Sequence, residues 1–96
     1  MSSKNEKRKV LFERLEVVCN DIIKIKQIIK EYEHIDNYWQ TSYRLTIDDL
    51  SYSNALINQT EQILIKNTED LLGARYLLVN AEHVKTIIVQ QLKHLK

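Results

Sequence analysis

Ninety-six residues carrying no proline and a single glycine, Gly73, lack the turn residues that β-hairpins and sandwiches need, so composition excludes most β architectures and points to one all-α domain over 1–96. Hydrophobic residues at 44% and charged residues at 28% exclude a disordered chain. A balance of 14 Lys and Arg against 13 Asp and Glu, net +1, excludes a strong default attraction to nucleic acid or to an anionic membrane.

The first segment is organised by Leu11, Leu15, Val18, Ile22, Ile25, Ile29 and Tyr32, which follow one another at alternating steps of four and three. On a helix these steps return each side chain to one narrow stripe, the seam of a coiled coil, which requires a helical partner to cover it. Each aliphatic side chain there contributes roughly 1.5 to 3 kcal/mol when fully buried. Ser2 or Ser3 is positioned to cap, and Lys4, Lys7, Arg8 and Lys9 form a basic run that opposes the positive end of the helix dipole. The spacing predicts helix A over about 4–34, widened by Phe12, Cys19 and Ile28.

From Glu33 to Asp49 the pattern blurs. Asp36 or Asn37 can cap a helix starting near Tyr38, and Thr46 with Asp49 resembles a capping box. The first choice continues an apolar stripe through Trp39, Tyr43, Ile47, Leu50, Ile57 and Leu64, so helix B is expected over about 37–66. Thr68, followed by Glu69 and Asp70, is the next capping signal, and it opens helix C over about 68–95. The stripe of helix C is Leu71, Ala74, Leu78, Ala81, Ile88, Leu92 and Leu95, broadened by Leu77 and Val84, with Lys93 and His94 in the last turn.

Three similar segments with short connections argue for an antiparallel three-helix bundle of about 30-residue helices. The alternative is a long helical hairpin that dimerises, because the break at 66–70 contains neither glycine nor proline and B and C can be one helix.

Chemistry-bearing residues are few. Glu31 and His34 form an E-x-x-H pair, the spacing of carboxylate-bridged metal bundles, but no second copy exists to complete the ligand set, and no metal or other cofactor is expected. Cys19 lies on the packing face without a histidine at a helical neighbour position, so it reads as a small hydrophobe, and no catalytic residue is assigned. There is no glycine-rich phosphate loop and no Cys and His cluster. The chain reads as a non-enzyme.

Basic side chains at Lys4, Lys7, Arg8, Lys9, Lys24, Lys26 and Lys30 are interleaved with Glu6, Glu13, Glu16, Asp21 and Glu31, which dilutes the field that phosphate binding requires. A nucleic-acid-binding regulator, of the small kind that phages and mobile elements carry, is therefore the alternative function. The leading expectation is a helical protein–protein interaction module, a small subunit or adaptor or an inhibitor or immunity-type binder, acting by helix packing on a partner protein or on itself. Its expected contact residues are Ile65, Leu72 and Val79, a seven-residue repeat off the main stripe, with Tyr76 beside them and Tyr38 and Tyr52 off the core stripe near the A to B connection. A lone cysteine and the lack of a long apolar run predict a cytoplasmic protein without membrane insertion.

Overall fold

In the computed structural model, which describes residues 3–48 and 54–95, the chain forms two helices, α1 (Lys4–Asp48) and α2 (Asn54–His94). Ser3 caps α1: the Glu6 amide donates to Ser3 Oγ at 3.1 Å and the Lys7 amide to the Ser3 carbonyl at 3.0 Å. Of the two capping candidates, Ser3 takes the role, with Glu6 three residues on, the spacing of a capping box. At the other end, α2 closes through a tighter turn in which the Leu95 amide donates to the Leu92 carbonyl, and Lys93 and His94 occupy the last turn.

The expected three-helix bundle is corrected to a helical hairpin, the alternative that the sequence left open, with α1 running on to Asp48. Neither internal break forms, and in both places the polar residues that resembled caps use their side chains otherwise. Asp36, expected near the start of helix B, sits mid-helix and accepts from Gln40 Nε2 one turn later at 2.7 Å. Thr41 donates back to the Asn37 carbonyl, a bond available only inside a continuing helix. At the second expected break, Thr68 donates to the Leu64 carbonyl at 2.9 Å, so it is an interior residue of α2 and caps nothing. Leu50 and Asp49, which the expected helix B would contain, lie outside the described residues.

With the breaks removed, one seam runs the length of each helix. In α1 it continues from Arg8 through the predicted stripe to Tyr32 and on through Asp36, Trp39 and Tyr43 without a change of register, all buried or half-buried. In α2 it runs Ile57, Thr60, Leu64, Asn67, Leu71, Ala74, Leu78, Ala81, then Lys85, Ile88, Leu92 and Leu95, again at alternating threes and fours, with Lys85 alone exposed. The predicted stripe of helix C is fully included. Ile47, assigned to the stripe of helix B, is exposed.

The chain divides into two compact units, unit 1 (Met1–Lys26 with Tyr76–Lys96) and unit 2 (Gln27–Arg75). In each, a stretch of α1 packs antiparallel on a stretch of α2. Unit 1 is centred on Ile22 and Ile88, and near the chain ends Arg8 Nη2 donates to the Leu95 carbonyl at 3.2 Å, placing a cation on the negative end of α2. Unit 2 is centred on Leu71 and Ala74, with Thr60 and Asn67 as buried polar seam residues. Thr60 satisfies its hydroxyl on the Leu56 carbonyl, and Asn67 reaches across to the Tyr32 carbonyl at 3.4 Å. Among the described residues no buried side-chain nitrogen or oxygen lacks a partner.

Candidate interaction surface

Two helices bury little. Among the described residues four hydrophobic side chains are buried, Ile22, Leu71, Ala74 and Ile88, and none of them is below 2% exposure, whereas eighteen large apolar side chains are exposed. Scattered apolar residues are ordinary on a protein surface; what matters is how these are arranged.

The ion pair between Glu33 and Arg75, 3.3 Å long, gives the arrangement in unit 2. Each of these residues directly follows a seam residue, Tyr32 in α1 and Ala74 in α2, so the positions that follow the second seam residue of each repeat meet along one side of the pair. In an antiparallel pair the positions that precede the first seam residue of each repeat then meet along the opposite side. That opposite side mixes large apolar residues with the polar positions Arg14, Asp21, Ser42, Asp70 and Gln91. In unit 2 it carries Ile28 and Ile35 from α1 with Ile63 from α2, and Tyr38 beside Ile35, all exposed. In unit 1 the positions that precede the first seam residue of each repeat hold Leu77 and Val84 in α2 but Arg14 and Asp21 in α1, and an open groove of about 400 Å³ is lined by Val10, Val17, Val84 and Ile88 together with Glu13 and Arg14.

The contact residues expected from sequence are exposed where they are described. Tyr38 belongs to the apolar side of unit 2 and meets Trp39 edge to face, ring centroids 5.4 Å apart and planes at 87°, so the half-buried Trp39 steadies an exposed neighbour. Ile65 and Leu72 in unit 2, and Tyr76 and Val79 in unit 1, are exposed on α2, but on a line different from the side just described. Tyr52 lies outside the described residues. Sequence reasoning did not single out Ile35, Ile63, Val17 or Val84 as contacts. The signal was present as their fixed offset from the seam, but the offset acquires meaning only when two helices are known to pair antiparallel.

Other chemistry is sparse. Glu31 and His34 are both exposed, and among the described residues no group of three or more His, Cys, Asp and Glu is placed to hold a metal ion. Cys19 is a half-buried free thiol in unit 1. A groove of about 630 Å³ in unit 1 opens between the ends of α1 and α2 and mixes Val10, Leu11 and Leu95 with Glu6, Lys7, Arg14 and His94. Among the described residues no helix is long and apolar enough to cross a membrane. No family model, curated protein or solved structure matches the chain.

Proposed function

We propose that the chain acts without catalysis, as a helical interaction module whose apolar sides pack against helices of another protein chain, in the manner of a small subunit, an adaptor or an inhibitory binder. One observation carries the reading: among the described residues the coiled pair fully buries four hydrophobic side chains and leaves eighteen large apolar ones exposed, about as many as its buried and half-buried seam contains. Isolated two-helix pairs bury too little surface to be comfortable alone at this size, and covering these side chains with a further helical layer adds the missing burial. A half-buried free cysteine suits a reducing compartment, and a cytoplasmic setting is part of the proposal.

The test is a paired capture from host extract with the wild-type chain and an Ile35→Lys, Ile63→Lys variant, both checked for helicity by circular dichroism, alongside light-scattering masses of each alone. The reading predicts a defined partner or a self-assembled species that the wild type forms and the helical variant does not. A wild-type chain that is monomeric and captures nothing beyond what the variant captures contradicts it.

A second reading, a small nucleic-acid-binding regulator, has the charge of unit 1 in its favour, ten Lys and Arg against five Asp and Glu. It makes no use of the apolar sides, and duplex binding that weakens steeply with salt is its signature.

A further inference from the structure

The net charge of +1 conceals a strong separation. Unit 1 holds ten Lys and Arg against five Asp and Glu, a net of +5, and unit 2 holds four against eight, a net of −4. The hairpin creates this separation, because it gathers the basic N-terminal stretch and the basic C-terminal stretch into one unit and leaves the acidic middle of the chain as the other. Each unit also exposes large apolar side chains beside its pairing seam: Val17, Leu77 and Val84 in unit 1, where Glu13 and Arg14 line the same groove as Val17 and Val84, and Ile28, Ile35 and Ile63 in unit 2.

We infer that the occupant covering these apolar side chains is a second copy of this chain, seated in reverse, so that those of basic unit 1 in one copy cover those of acidic unit 2 in the other. The inference rests on the interaction reading above and names its partner. Two arguments select this occupant. A reversed pairing sets +5 against −4, where a parallel pairing would set +5 against +5, and opposite fields both speed encounter and penalise the wrong orientation. A symmetric pair makes the contact between unit 1 of one copy and unit 2 of the other twice, and closes. Nucleic acid would match the charge of unit 1 alone and leave the aliphatic side chains of both units in water.

The experiment uses the wild-type chain, so folding of a variant is not at issue. Equal amounts of natural-isotope and ¹⁵N-labelled chain are mixed, equilibrated and treated with a carbodiimide, which joins a lysine amine to a carboxylate with loss of water. Mixed-isotope peptides identify links between copies. The expected result is a dimer whose mixed links join unit 1 lysines such as Lys24 to unit 2 acids such as Glu31 and Asp70. Its dissociation constant should rise by about tenfold on going from low to high salt, as opposite charges are screened. Mixed links found only within unit 1 residues or only within unit 2 residues overturn the reversed pairing. A chain that stays monomeric overturns the second copy as occupant, and so does one that gives no mixed links and instead binds a DNA duplex; a monomer that still captures a protein through Ile35 and Ile63 leaves the interaction reading standing while this inference falls.

Discussion

Asn67 of α2 donates from Nδ2 to the backbone carbonyl of Tyr32 in α1, 3.4 Å away, from a seam position that is 8% exposed. A polar residue at such a position gives up burial energy and fixes how two helices slide past one another, because only one register brings donor to acceptor. Thr68 reinforces the same alignment: its hydroxyl, which shares its one proton with the Leu64 carbonyl, lies 3.3 Å from Asp36 Oδ1 across the pair. Unit 2 is therefore aligned by polar contacts on a seam that apolar residues hold together.

Replacing Asn67 by Leu should raise the denaturant midpoint, by about 1 kcal/mol or more in stability, since a leucine adds apolar burial and the Tyr32 carbonyl keeps its bond within the helix. The same change should loosen the register, seen as broadened or doubled amide resonances for residues around Tyr32. A lower midpoint would show that the hydrogen bond outweighs the burial.

Adjacent isoleucines give the sharpest test of the seam. Ile22 is 7% exposed and Ile23 is 64% exposed. Ile22→Ala should cost about 2 to 4 kcal/mol and Ile23→Ala less than about 0.5 kcal/mol, measured by urea unfolding. Ile25, half-buried one step along the seam, should fall between them. Equal effects at positions 22 and 23 would mean that the pairing of unit 1 is wrong.

Gly73 lies inside α2 with a helical backbone, and a Cβ built there meets no atom within 4 Å. Gly73→Ala should therefore stabilise the chain by about 0.5 to 1 kcal/mol through the entropy of the unfolded state and better helix propensity. Thermal unfolding measures it. A loss of stability would reveal a close approach to Gly73 by another copy or partner.

The Glu33 to Arg75 pair is half exposed on both sides, 49% and 52%. Arg75→Ala should then change stability by less than about 1 kcal/mol, and by less still at high salt. A double-mutant cycle with Glu33→Ala checks it, and a larger coupling would mean that the pair is more sheltered than its exposure implies.

What could be read from the sequence was the seam. The stripes Leu11 to Tyr32 and Leu71 to Leu95 appear in the structure residue for residue, since heptad spacing survives any decision about where helices end. Helix number was not legible, because Asp36, Asn37, Asn67 and Thr68 carry the side chains of caps, and whether such a side chain caps or crosses to a neighbouring helix is decided by tertiary contact. For the same reason Asp36, Thr60 and Asn67 were not recognised as seam residues. The apolar sides were half legible. Tyr38 was singled out, whereas Ile35 and Ile63 required the antiparallel pairing, and the separation of charge between the units was invisible in a whole-chain count of +1.

Light scattering on the isolated chain, compared with the Ile35→Lys, Ile63→Lys variant at matched helicity, tests most directly the claim that a second copy of the chain covers these apolar side chains. The account predicts a wild-type mass near twice 11.4 kDa and a variant at 11.4 kDa. A wild type that remains at 11.4 kDa across the whole concentration range, with a variant indistinguishable from it, would contradict the claim.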